Sequence, residues 1–359
     1  MSGTPVDNGL FVRRVLLIAL VATLVIIVLL NLQRVVHYLL VVFAGVLLAV
    51  FLDGIATFLS QRTRLPRALA LGLVVVALFA LVAGSIWVAG PSVADQLAGL
   101  TERVPGAVET AREGLEGTEW GREILGQIPD FETLVAHWAD VARFIRLAVT
   151  STFNAIVDAI IILFIGIYLA AMPDLYQDGL ARLFPLRRRG RIREVLESVG
   201  NALRWWLLGR FASMVVVGVL TWLGLWLVGV PLAPTLALIA ALLAFIPFMG
   251  PVLGAIPACL VALVESPLKA LWVIVVFAAV QLLETYLITP LIQQRAVRIA
   301  PALLISIQIL MAVLFGGLGM LLATPIAVTA IVMIQMLYVQ DSLGDRDLPV
   351  LGRREKPAS

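Results

Sequence analysis

Charge, cysteine and histidine are all scarce in this chain. Of 359 residues only 14% are charged while 61% are hydrophobic, and the mean hydropathy is +1.04. A soluble core of this size has no use for so much apolar surface, so the composition selects an all-α polytopic membrane protein. The one cysteine, Cys259, excludes an intrachain disulfide and a Cys-based zinc site. It lies in an apolar stretch and reads as a small buried hydrophobe. The two histidines, His37 and His137, fall in different compartments by the topology below. There is no H-E-x-x-H helix, so no metal site is expected. No G-x-x-x-x-G-K-[ST] loop is present either, which leaves a gradient rather than nucleotide hydrolysis to drive any movement. An intramembrane serine protease needs a Ser and a His together, and His37 has no evident partner. An aspartyl protease needs two facing aspartates, and only Asp158 lies deep in a span. The chain therefore reads as a non-enzyme without a cofactor. No basic stripe interleaved with aromatics supports a nucleic-acid partner.

Long uncharged runs fill the rest. Val15 to Leu32 and Val35 to Leu52 are each long enough to span and are separated by little more than Gln33 and Arg34, which predicts a tight transmembrane hairpin. The first run follows Arg13 and Arg14 and has no small-residue cleavage site, so it reads as a retained span. Arg62, Arg64 and Arg67 make the next link cytoplasmic, together with the N-terminus. Asp53, at the end of the second span, is assigned to the interface and to no chemistry. Ala68 to Gly90 is a third span. From Pro91 to Ala148 ten acidic residues face five arginines, and leucines and valines recur at helical spacing, which predicts an acidic, non-cytoplasmic helical cap. Val149 to Ala171 is a fourth span carrying Asn154 and Asp158 one turn apart. Arg187, Arg188, Arg189, Arg191 and Arg193 then lead into EVLESVGNALRWW. That segment reads as a cytoplasmic amphipathic helix against anionic headgroups, with Trp205 and Trp206 at the interface.

Phe211 to Val228 is a fifth span, and beyond it the pattern changes. Leu236 to Leu263 carries no charge, yet holds Pro247, Gly250, Pro251, Gly254 and Pro257. Proline removes a backbone donor and glycine lowers the cost of non-helical angles, so a helix breaks here. Backbone freed in a bilayer must find partners in protein or in a watery cavity. A second uncharged stretch, Pro301 to Leu337, is interrupted by Gly316, Gly317 and Gly319 and then Pro325. Matched interrupted segments point to a transport pathway. Each is about 42 Å or longer as a continuous helix, against a hydrocarbon core of about 30 Å, which predicts two re-entrant hairpins of opposite orientation. About eight membrane segments result. The boundaries are three spans over 1–90, the cap over 91–148, span four with the basic segment over 149–204, a transport core over 205–338, and a short, polar, disordered cytoplasmic tail over 339–359.

Between the two stretches lies Ala270 to Thr289, carrying Gln281 and Glu284 at an i, i+3 spacing. A carboxylate at membrane depth costs a few kcal/mol unless it is paired or protonated. Glu284 is therefore assigned a coupling role, with Gln281 beside it and Asp158 as the other deep carboxylate. The pathway backbone is assigned to Pro247, Gly250, Pro251, Gly254, Pro257, Gly316, Gly319 and Pro325. Gln281, Gln308 and Thr324 are the candidate hydrogen-bonding groups.

At FIPFMGPVLGAIPA (Phe245 to Ala258) the sequence resembles the autoinducer-2 exporter family of bacterial permeases. LLGRF with GVLTWLGLWLVGVP (Leu207 to Pro231), QLLETYLITP (Gln281 to Pro290), IAPALLISIQ and GGLGMLLATPIA (Gly316 to Ala327) agree in order and spacing. Arg210 stands where that family often has glutamine, and Thr285 where it often has asparagine. The resemblance implies a multi-span inner-membrane transporter and brings three hypotheses. The first is an exporter of a small polar solute such as autoinducer-2; the second is a sodium/proton antiporter using Glu284 and Asp158. The third is a non-transporting scaffold that interacts with lipid. The expected partners are a small polar solute or a monovalent cation and proton, membrane lipid, and further copies of the chain as a homo-oligomer.

Overall fold

The computed structural model describes the backbone of residues 8–80, 83–84, 152–288 and 300–345, and side chains from 34–80, 83–84, 156–286 and 300–345. The acidic cap, Asn154 and the link bearing Arg295 and Arg298 lie outside the described side chains. Every element among the described residues is helical: α1 (Asn8–Thr63), α2 (Arg67–Ala80), α3 (Thr152–Ala171), α4 (Pro173–Arg182), α5 (Arg189–Val228), α6 (Ala233–Leu243), α7 (Met249–Glu265), α8 (Pro267–Leu283) and α9 (Pro301–Met333). A 3-10 turn, Leu186–Arg188, precedes α5, and π-helical turns extend α8 over Glu284–Ile288 and α9 over Ile334–Gln340.

α1 departs from the expected hairpin. It runs unbroken for 56 residues, about 84 Å at 1.5 Å per residue. Gln33 and Arg34 are good helix formers, and neither glycine nor proline stands beside them to turn the chain. The basic segment before span five is likewise not a separate surface helix, because it is the first half of the 40-residue α5. α5 stops at Gly229, whose φ of 71° sets up a left-handed cap in which the Val230 N–H bonds to the Leu225 carbonyl at 3.0 Å.

α1 packs against α3, where Gly45 and Gly166 let the backbones close on Ile165 and Leu48. Small residues at a crossing are how membrane helices gain packing where lipid offers no hydrophobic drive. The rest is organised on α5, which touches α1, α4, α6, α8 and α9. One apolar cluster joins α5 to α9 through Leu203, Trp206, Leu207, Leu322 and Val328, while another joins α5 to α6, α7 and α8 through Leu225, Leu236, Ala258 and Phe277.

Both interrupted stretches are helical hairpins. α6 and α7 are antiparallel arms: Leu236 and Ala240 share a cluster with Ala258, Val261 and Ala262, and Gly254 lies against the Ala240 backbone. Their link, 244–248, turns through Phe248 at φ 64° and ψ −47°. The second hairpin is concealed in the apparent continuity of α9. Gly316 sits at φ 65°, ψ −150°, a conformation open only to glycine. Beyond it the chain doubles back until the Gln308 Nε2 lies 3.4 Å from the Thr324 Oγ1. In a straight helix those residues would be about 24 Å apart. Pro301–Gln340 is thus long and apolar enough to cross a membrane, but it is folded in two.

Candidate functional site

Arg210 and Ser213 are one turn apart on α5 and share a face. Both point at Glu284, the first residue of the π-helical turn that ends α8. The Arg210 Nη1 donates to the Glu284 Oε1 at 3.1 Å, and the Ser213 hydroxyl donates to the same oxygen at 2.7 Å. The Arg210 Nε donates to the Phe245 carbonyl at 3.1 Å, in the link between α6 and α7. Arg210 and Glu284 are each 4% exposed. One guanidinium therefore holds three parts of the molecule at one point: the central helix, the first hairpin's link and the end of α8.

The surroundings are apolar and aromatic. Phe245 stands edge-on to Trp206, with ring centroids 5.5 Å apart, and also meets Phe211. Phe211, Phe245, Met311, Phe315 and Leu318 line the cluster that joins α5 to α9. The elbow of the second hairpin thus packs on the segment of α5 that carries Arg210. In such low-dielectric surroundings an ion pair is strong, and each partner depends on the other to offset its desolvation. The Glu284 Oε2 remains buried without a hydrogen-bond partner among the described residues, as do Gln281 Oε1, Gln308 Oε1 and Thr221 Oγ1. An unsatisfied buried acceptor is costly, so these four atoms stand out in the apolar interior.

Glu284 is therefore paired with Arg210 and Ser213. The Gln281 amide donates to Thr285 at 3.2 Å instead. Gln308 and Thr324 bond to each other inside the second hairpin and are buried. Asp158 is not brought to Glu284. It lies on α3, with its Oδ2 3.0 Å from the His37 Nε2 of α1, so His37 does have a partner. Asp53 is paired with Arg67 at 2.6 Å.

The glycines and prolines shape the hairpins. A Cβ at Gly250 would run into the Leu243 carbonyl, and one at Gly319 into the Met311 carbonyl. Pro247 lies in the first link, Pro251 in the first turn of α7 where an N–H has no intrahelical partner, and Pro257 and Pro325 inside α7 and α9.

The basic segment from Arg191 to Trp206 packs on protein instead of lying on the headgroups. Trp206 is buried, 6% exposed, whereas Trp205 faces outward. Arg191 donates to Glu194, Gln340, Asp341 and the Met336 carbonyl, tying the start of α5 to the end of the second hairpin. Asp341 is thus held in place by Arg191, where the sequence predicts a disordered tail. Arg193 is bonded to Asp178 of α4 at 2.7 Å.

Arg210 and Ser213 had a sequence signal that span-counting discards. A charged residue beside an apolar run is normally taken as its boundary, which starts span five at Phe211 and leaves the arginine outside. A cavity of about 520 Å³ between α1, α3, α4 and α5, lined by Asp53, Gln177, Glu197, Asn201 and Arg204, had no such signal, because its residues come from four separate elements.

The chain matches the family model described as AI-2E family transporter over residues 16–338. It is 26% identical over 296 residues to YueF of Bacillus subtilis (strain 168), covering 79% of each chain. It is 25% identical over 284 residues to YrrI of the same organism, covering 76% of this chain and 79% of the relative. Both are named for an assigned role in transport. A Thermotoga maritima protein named in the same way is 23% identical over 286 residues, covering 78% of this chain and 85% of the relative.

Proposed function

We propose, from the premise that this multi-pass membrane protein belongs to the AI-2E transporter family, that it is a gradient-driven exporter whose coupling element is the Arg210–Glu284 pair. The observation that carries the reading is the single buried contact joining α5, the first hairpin's link and the end of α8. In the resting arrangement the ionised carboxylate holds the guanidinium, and the guanidinium holds the Phe245 carbonyl. A proton arriving at the unpartnered Glu284 Oε2 cancels the charge that keeps Arg210 in place. The Phe245 link is then released, and the hairpins rearrange around the site.

The solute is small, polar and neutral, of the autoinducer-2 kind. The buried groups without a partner that could meet it are amide and hydroxyl oxygens on Gln281, Gln308 and Thr221, and the buried charge of Glu284 is paired with Arg210. A guanidinium 3.1 Å from Glu284 also opposes a sodium ion at that carboxylate, which disfavours the sodium/proton antiporter. By the positive-inside rule the end bearing Arg62, Arg64 and Arg67 faces the cytoplasm of a bacterial inner membrane. Everted vesicles carrying the protein should accumulate autoinducer-2 above empty vesicles when the interior is acidified. Sodium-for-proton exchange without solute accumulation would overturn the exporter reading in favour of the antiporter, and neither activity would leave the scaffold.

A further inference from the structure

α4 faces the wrong way for a helix packed on a protein. Its small and polar residues Gln177, Asp178 and Ala181, at i, i+1 and i+4, turn inward: Ala181 is 1% exposed and Asp178 bonds to Arg193 of α5. Its apolar residues turn outward. Leu175 and Leu183 lie on the opposite face, two turns apart, and are 63% and 78% exposed, while Tyr176 and Leu180 flank it and border the cavity against α5. Leu186, in the turn that follows, is also 78% exposed. In water such an arrangement is unfavourable, so an apolar medium must meet this face.

Two observations say which medium it is. α4 leaves α3 at 91° across Met172, so if α3 crosses the bilayer, α4 lies in the membrane plane. Arg67 of α2 reaches both Asp53 and the Ala170 carbonyl, at 2.6 and 3.2 Å. This puts the α3–α4 corner level with the basic link Arg62–Arg67. That end is the cytoplasmic one, where the leaflet carries anionic lipid. The arginines complete the match. Arg189 is occupied by the Phe184 and Arg182 carbonyls and Arg193 by Asp178, but the side chains of Arg182, Arg187 and Arg188 are exposed and make no ion pair or hydrogen bond among the described residues.

We propose that α4 and the turn after it form an in-plane site for anionic phospholipid. Leu175, Leu183 and Leu186 sit among the upper acyl chains, and Arg182, Arg187 and Arg188 bind the headgroup phosphates. The site differs from the expected one, since the segment from Arg191 to Trp206 rises with α5. It is also independent of the Arg210–Glu284 pair, so its failure would leave that reading untouched.

The test uses full-length protein in vesicles of equal parts phosphatidylglycerol and phosphatidylcholine. A nitroxide is attached at Leu183→Cys in a Cys259→Ser background. It should relax strongly with oxygen and weakly with a water-soluble nickel chelate, as expected for a lipid-facing site. Spin-labelled phosphatidylglycerol should associate with the protein several-fold more than spin-labelled phosphatidylcholine. In Arg182→Gln/Arg187→Gln/Arg188→Gln that several-fold preference should fall toward unity. A label relaxed by nickel would place α4 in water, and a label shielded from both reagents would mean that a second copy of the chain covers the face. Either result, or a preference unchanged in the triple variant, overturns the proposal.

Discussion

Arg210 and Glu284 are almost wholly buried, so neither can lose its partner without leaving a charge in apolar surroundings. Removing one partner of such a pair costs about 3–5 kcal/mol, whereas replacing both by apolar groups is often tolerated. Arg210→Met should therefore lower the thermal stability of purified protein sharply. The double variant Arg210→Met/Glu284→Met should recover most of that loss while transporting nothing. A double variant no more stable than the single one would show that the two side chains do not depend on each other. Arg210→Gln keeps an amide donor for Glu284 and the Phe245 carbonyl but removes the positive charge. It should fold with a smaller loss than Arg210→Met in the same thermal assay. Half of this site could be read from the chain. Glu284 stands out because a carboxylate in an apolar run demands an explanation. Its true partners do not, because Arg210 sits at the edge of a run and lies 74 residues away in sequence. Gln281, the polar neighbour in sequence, bonds to Thr285 instead.

The hairpins are set by backbone conformation at a few residues, and the sequence carried most of that information. Proline and glycine in an uncharged run announce a break, and both breaks occur. Whether a break is a kink or a reversal depends on long-range packing, as between Ala240 and Gly254 or between Gln308 and Thr324, and local propensity does not report it. Where no breaker exists, at Gln33 and Arg34, run length alone suggested a turn that the backbone does not make. Gly316→Ala places a side chain in a strained conformation that costs about 1–3 kcal/mol. It should reduce both stability and transport, with the loss read from melting temperature and vesicle uptake. Gln308→Cys/Thr324→Cys in the Cys259→Ser background should be joined by a short bismaleimide. Proteolysis between the two positions should then leave the fragments linked. Separable fragments would mean that the chain runs straight through Gly316.

At the scale of the whole molecule, a chain that doubles back in the membrane returns to the side it came from. Ala302 and Ser342, at the two ends of the second hairpin, should therefore lie on one face of the bilayer. Single cysteines at these positions, again without Cys259, should both escape an impermeant thiol reagent in intact cells and both react in everted vesicles. Opposite labelling would restore a spanning helix over Pro301–Gln340. α5 is the common wall against which both hairpins pack, and the Arg210–Glu284 pair crosses from that wall to the helix between them. Composition declared the membrane class and the interrupted runs declared the two helical breaks. This convergence on one buried pair was hidden, because it joins residues from three distant parts of the chain. Its role is tested most directly by Glu284→Gln, which preserves shape and hydrogen-bonding capacity but cannot take up a proton. Purified variant and wild type are reconstituted in proteoliposomes, and autoinducer-2 flux is measured at a series of imposed pH gradients. The variant should insert normally and carry solute down its own gradient at a rate that no longer changes with the pH gradient. A variant whose flux follows the pH gradient as steeply as the wild type would remove Glu284 from the coupling mechanism.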